Sequence, residues 1–231
     1  MSILSQLWNS ISELSGTRRR TLRAITDVVI RASDEMSDWN DARLLRVSNE
    51  LRWRARSGEA LTHLTPLAFA LVREAAHRAH GMKHFPVQLF AGLVMAHGGV
   101  AEMETGEGKT LSALPPLFLR ALFGEGCHVL TTNDYLAARD AEFSKPVFAR
   151  LGLSVGYLSN SMPPDQRRAA YACDVTYGTE KEMGFDFLRD RLKQQACNSR
   201  GTGVREDPVQ RGHYFALVDE ADSIKIGRAH V

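Results

Sequence analysis

Apolar residues recur at helical spacing through the first hundred positions, then gather into short runs separated by helix-length stretches. Ile3, Leu4, Leu7, Trp8, Ile11 and Leu14 fall every three or four residues, which predicts a first amphipathic helix. Its apolar stripe suits either docking against the domain body or lying on a membrane surface, where the adjoining "TRRRTLR" would complement acidic headgroups. A further helix is expected in "LTPLAFALVREAAHRAHG". Thr65 would be its cap, Pro66 its first residue, Leu67, Leu71 and Ala75 its buried stripe, and Gly81 its stop. His77 and His80 in the last turns complement the helix dipole more readily than they would bind a metal.

From Gly99 the period changes. Runs at 127–132, 153–159, 173–179 and 213–219 alternate with helical stretches, predicting an α/β fold with a parallel sheet and helices on both faces. The polar segment from Gln194 to Gln210, with Gly201, Gly203 and Pro208, is expected to be a mobile surface loop.

Composition adds mainly exclusions. Twenty-nine basic against 27 acidic residues leave a net charge of +2, so bulk charge selects no partner. The local clusters Arg18, Arg19, Arg20, Arg23 and Arg52, Arg54, Arg56 read as solvated helix faces. Cys127, Cys173 and Cys197 form no C-x-x-C pair, which suits a reducing compartment and offers no metal site. No apolar run reaches the roughly 18 residues that a membrane span needs. The charge near the start follows the apolar part, unlike a signal peptide, and a cytoplasmic setting is expected.

Chemistry enters at "METGEGKT", residues 103–110. It departs from the G-x-x-x-x-G-K-[ST] pattern at Met103, and Glu104 and Glu107 sit where a polyphosphate would lie. Even so, Gly106 and Gly108 let the backbone turn several N–H groups toward one phosphate. Lys109 offers its charge to the β/γ-phosphates and Thr110 its hydroxyl to Mg²⁺. The loop is expected between a strand and a helix whose Pro115 and Pro116 bend it early. In "YFALVDEAD" an apolar strand delivers Asp219 and Glu220 at its carboxyl end, where open α/β sheets place ligands. There Asp219 can hold Mg²⁺ through its water shell, and Glu220 can take a proton from an attacking water. The pair of motifs points to ATP hydrolysis or ATP-driven switching. Gln88, shortly before the loop, is either a surface residue or an amide that pairs with the adenine edge, and Phe85 is expected in the core.

Taken in order, "GMKHFPVQL", "TGEGKTL", "TTNDYLAARDAE", "DVTYGTEKEMGFDFLRD" and "FALVDEADSI" resemble the first motor domain of the SecA family of preprotein-translocating ATPases. The likeness runs from about Arg18 to Ile224, and it implies a P-loop, DEAD-helicase-like domain that does not require a glycine at Met103. It implies ATP contacts at Gln88 and at Thr105, Gly106, Glu107, Gly108, Lys109 and Thr110, Mg²⁺ at Thr110 and Asp219, and catalytic roles for Lys109 and Glu220. Asn133, Asp134, Tyr135, Arg139 and Asp140 match one motif linking the nucleotide site to the neighbouring motor surface. Tyr177, Gly178, Thr179, Glu180, Gly184, Phe185, Asp186, Arg189 and Asp190 match a second. In that second motif Gly178 and Gly184 are expected to shape turns, and Phe185, with Phe187, to fill core. The partners implied are the SecYEG channel, unfolded preproteins and acidic phospholipids, with peripheral association to the inner membrane and room for a homodimer. A nucleic-acid helicase of the same superfamily is the alternative, as is a non-hydrolysing nucleotide-binding fragment.

Glu104 replaces the arginine usual in the family, so it is expected to face solvent or pair with a base such as Lys181. The expected organisation is a helical segment over 1–80, a motor domain over 81–225 that stops after its acidic strand end, and a non-native tail over 226–231. That tail reads "IGRAHV", one frame of a common sequencing adapter. Weak nucleotide binding and negligible turnover are expected of these residues alone, because such motors take transition-state arginines from a second domain.

Overall fold

A computed structural model of the chain describes residues 16–200 and 208–224. The expected first helix and the 226–231 tail lie outside these residues. The chain folds as two compact units, Met1–Phe123 with Pro146–Gly152, and Gly124–Lys145 with Leu153–Val231.

The first unit is helical: α1 (Gly16–Glu35), α2 (Asp41–Arg56), α3 (Leu61–His80), α4 (Pro86–Ala96) and α5 (Lys109–Ala121). α3 is its axis. Every residue from Ala68 to Ala76 is buried, so this helix packs all round against α1, α2 and α5 rather than along one stripe. It also begins a turn earlier than Thr65 suggested, with Ala60 as N-cap, and Pro66 lies inside it. Thr65 instead turns its hydroxyl onto the Leu61 carbonyl at 2.7 Å. The N-cap offers no side-chain hydrogen bond, which left that first turn without a sequence signal. Gly81 does end the helix, at φ 69°, its N–H donating to the His77 carbonyl.

Charges inside this unit are paired. Arg73 donates to Asp34 at 2.8 Å, and Arg78 reaches both Glu74 and Asp41 at 2.8 Å. Part of the second arginine cluster is half-buried: Arg52 donates to the Gly152 carbonyl and Arg54 forms a two-pronged pair with Glu59, while Arg56 stays exposed.

The second unit carries a four-stranded parallel sheet, β1 (Cys127–Thr131), β2 (Val155–Tyr157), β3 (Val175–Thr179) and β4 (Phe215–Val218), in the order β2-β3-β1-β4. All four strands fall inside the expected runs. β3 is buried along its whole length and β1 nearly so, matching their central places in the sheet, and the polar His128, Thr131, Thr176 and Thr179 are buried with them. Its helices are α7 (Pro164–Tyr171), α8 (Glu180–Arg200) and the start of α6 (Asp134–Arg150), which continues into the first unit's share of the chain.

Three expectations fail in α8 and its approach. The helix runs to Arg200, through the first part of the supposed loop, because Gln194, Gln195 and Ala196 are good helix formers and no glycine or proline lies between Gly184 and Gly201. Phe185 and Phe187 are exposed, at 53% and 37%, rather than in the core. Gly184 lies inside the helix with open space around it, and Gly178 lies within β3, where a Cβ would come 3.1 Å from Leu158 and Met183. Neither shapes a turn.

Apart from Met183, the buried stripe of α8 is polar instead. Asp186 accepts from Arg167 at 2.9 Å and from the Tyr171 hydroxyl at 3.1 Å, while Glu182 takes the other Arg167 nitrogen. Asp190 caps the backbone N–H groups of Val209 and Gln210, both at 2.9 Å. Burial opposes the Arg167 charge, but the hydrogen bonds and charges of Glu182 and Asp186 outweigh it and raise its pKa.

Each unit also buries one neutral histidine. Burial pushes His84 down to about 4, with the Arg73 charge adding and the Leu111 carbonyl opposing. His128 on β1 is pushed to about 4 by burial, then by His213 and Arg211. Both pKa values are depressed on folding from 6.5, so the unfolded chain binds more protons below that value. The stability they contribute is present above pH 6.5 and is lost as pH falls toward 4, by about 1.4 kcal/mol per pH unit for each. Urea denaturation at pH 7.5 and pH 5 checks this, and His128→Phe is expected to flatten the slope for the second unit.

Candidate nucleotide-binding site

The candidate phosphate loop, residues 103–110, belongs to the first unit and opens directly into α5. No strand precedes it among the described residues: Val100 is 86% exposed, so the short apolar run there has nothing to pack upon. Gly106 (φ 90°) and Gly108 (φ 84°) hold the left-handed backbone that their residue type allows without strain. Gly108 is the N-cap of α5, which puts Lys109 and Thr110 in the helix's first turn, at its positive end.

Gln88 is not a surface residue. It is buried in α4, its Oε1 accepts from the Phe85 N–H at 2.9 Å, and its Nε2 donates to the Glu107 carbonyl at 2.7 Å. A Cβ at position 108 would lie 2.4 Å from that Nε2, so Gly108 is fixed by close approach as well as by φ. One amide therefore fastens the phosphate loop to the start of α4, with one N–H and one lone pair left over. Phe85 is 68% exposed beside it rather than in the core. The two acids of the loop are also accounted for. Glu107 turns its carboxylate onto the Glu104 N–H at 2.8 Å, whereas the Glu104 side chain is exposed.

In the second unit, the parallel strands bring Thr132–Asn133, Thr179–Glu180 and Asp219–Glu220 to their common carboxyl end. The Asp219 N–H continues the ladder onto the Leu130 carbonyl at 2.9 Å. Glu220 then turns left-handed, at φ 52°, the one non-glycine with positive φ among the described residues. Such a backbone costs on the order of 1–3 kcal/mol and collects at functional positions. The Glu220 N–H is held by Asp219 Oδ1 at 2.9 Å, and its carboxylate accepts from Thr132 at 3.3 Å. Thr132, directly after the carboxyl end of β1, is thus a site residue whose only sequence signal is a hydroxyl at a strand end.

The two linking motifs carry local structure in this unit. Asn133 caps α6 by accepting from Leu136, Asp134 accepts from Asn160, and Arg139 pairs with the buried Asp140. Tyr135 is exposed, and Thr179 caps the start of α8 by accepting from Glu182. Among the described residues no three His, Cys, Asp or Glu side chains gather as a metal site, and no helix is long and apolar enough to cross a membrane.

A glycine turn at a helix N-terminus with a lysine in the first turn, and parallel strands that end on adjacent acids, place the chain in the α/β, P-loop class of fold. Within that class the chain belongs to the SecA family: the model of the SecA DEAD-like domain matches residues 7–231. It is 48% identical over 214 residues to "Protein translocase subunit SecA 1" of Mycolicibacterium smegmatis, covering 93% of this chain and 22% of that protein. "Protein translocase subunit SecA" of Streptomyces coelicolor is 45% identical over 229 residues, 99% of this chain and 23% of the relative. The chain thus spans under a quarter of the length of these relatives. Among solved structures, a hypothetical ATP-dependent RNA helicase from Sulfolobus tokodaii overlaps 65% of this chain and 41% of its own at TM-score 0.43 and 22% identity, too partial a likeness to bear on activity.

Proposed function

We propose that these residues form the amino-terminal part of a SecA-type ATPase, which couples ATP binding and hydrolysis to the passage of unfolded preproteins across the cytoplasmic membrane. The observation carrying this reading is the Gly106–Thr110 turn fastened by Gln88, in a chain of this family. Thr105 to Lys109 would surround the phosphates, and the amide of Gln88 has the spare donor and acceptor that an adenine edge requires. The exposed ring of Phe85 offers a stacking surface beside it. Bound Mg²⁺ would neutralise charge on the phosphates, with Thr110 and Asp219 as its protein ligands. Glu220, its carboxylate steadied by Thr132, would take the proton of the attacking water.

The longer protein would act at the cytoplasmic face of the membrane, bound peripherally through the SecYEG channel and acidic phospholipids. Turnover would require a second motor domain to close on the nucleotide. The test is ATP hydrolysis by the longer protein with channel-containing vesicles and an unfolded preprotein. Stimulation by both together, and none by single-stranded RNA, is the expected result. Stimulation by RNA alone would transfer the reading to a helicase.

A further inference from the structure

The first turn of α5 has a defect built into its sequence. Pro115 has no N–H, so the Leu111 carbonyl four residues earlier has no helical donor, and Pro116 leaves the Ser112 carbonyl in the same state. The Ser112 carbonyl faces Gly92, where an added Cβ would lie only 3.1 Å away. The Leu111 carbonyl is met by a side chain from outside the helix: His84 Nε2 lies 2.8 Å from it. A carbonyl can only accept, so Nε2 carries the proton, and the buried Nδ1 is left with no partner. An imidazole held in one tautomer, at the expense of its other nitrogen, is held for that single bond.

His84 is itself anchored. Its carbonyl accepts from Arg73 at 3.2 Å, and Arg73 is held by Ser33 at 3.2 Å and Asp34 at 2.8 Å. Four residues on, Gln88 reaches the Glu107 carbonyl. The segment 84–88 therefore places one arm on each side of Lys109 and Thr110, at carbonyls 107 and 111.

We propose that His84 is a positioning residue for the nucleotide site: by donating to the Leu111 carbonyl it replaces the helical bond that Pro115 removes and, together with Gln88, sets the pose of Lys109 and Thr110. The inference rests on the proposed reading of the loop as a nucleotide site. It assigns Pro115 a purpose: its missing N–H frees the carbonyl by which His84, just before α4, can grip the start of α5.

The experiment compares His84→Leu, His84→Asn and His84→Gln in the whole chain. Only glutamine places an amide N–H near the position of Nε2, since asparagine is too short. MgATP affinity is read by calorimetry, folded fraction by circular dichroism, and amide hydrogen exchange over residues 109–114 by mass spectrometry. We expect His84→Leu and His84→Asn to weaken MgATP binding by up to about tenfold, the range of one hydrogen bond, and to speed exchange in 109–114. His84→Gln is expected to restore both toward the unsubstituted values. If His84→Leu does not fold, the Asn–Gln comparison decides alone. Affinity and exchange in folded His84→Asn equal to those of His84→Gln would overturn the role. Should the unsubstituted chain bind no MgATP, the nucleotide reading fails, while the exchange comparison still decides whether His84 sets the first turn of α5.

Discussion

Replacing Arg167 by methionine is expected to destabilise the second unit by about 3–5 kcal/mol, because it removes the cation that two carboxylates of a buried ion cluster share. Arg167 is 4% exposed. It meets Asp186 at 2.9 Å and Glu182 through its second nitrogen, and it also donates to the carbonyls of Ser159, Asn160 and Met162. Methionine keeps most of the volume but leaves the carboxylate of Asp186, itself buried, without that partner; Arg189 still reaches it at 3.0 Å from a more exposed position. Three carbonyls lose the Arg167 donor as well, although that of Ser159 keeps the Met162 N–H at 3.2 Å. Adding Asp186→Asn should recover part of the loss, since an amide carries no charge and still accepts from Tyr171. Arg168→Met is the control. Arg168 pairs with Asp165 at 3.0 Å on the surface, and its loss should cost less than about 1 kcal/mol. Urea denaturation followed by circular dichroism, with hydrogen exchange of the β3 amides, checks all three variants.

This cluster also shows where the sequence stopped being legible. The strands could be read because β1 and β3 are short runs rich in β-branched and other strand-forming residues (CHVLT and VTYGT), set between helix-length stretches. α8 could not be read the same way. Its inward positions include Met183, Asp186 and Asp190, spaced three and four apart, while Phe185 and Leu188 face out. Two of those three inward residues are carboxylates, which hydrophobic periodicity scores as surface. What lets them be buried is Arg167, Tyr171 and the backbone at 209–210, none of which is near in sequence.

The candidate loop at 103–110 could be singled out because glycine, lysine and threonine at fixed offsets have few other uses, and the left-handed backbone of Gly106 and Gly108 is what that reading required. Its supports were not. Gln88 and His84 read as an ordinary polar residue and an ordinary histidine, since their bonds go to the backbone carbonyls of 107 and 111, which any residue type provides. A trace of the second bond was present in the proline at 115, whose missing N–H implies a donor elsewhere. Glu104 looked like a reversed charge beside the phosphates. In the fold its side chain points into solvent, and its N–H is what engages the loop, through Glu107.

Lys109→Ala carries the second large effect. Lys109 is the first residue of α5, half-buried, next to the left-handed Gly108. A lysine there supplies charge-assisted bonds to phosphate, worth about 1.5–3 kcal/mol, or roughly 10- to 100-fold in affinity. Alanine is a better helix former, so the fold should not suffer. The decisive measurement is therefore a calorimetric titration of the chain with MgATP, run in parallel on the unsubstituted protein and on Lys109→Ala at matched folded fraction. The proposed site predicts saturable one-to-one binding that weakens by about 10- to 100-fold in the variant. No saturable heat from the unsubstituted chain, or two superimposable isotherms, would contradict it.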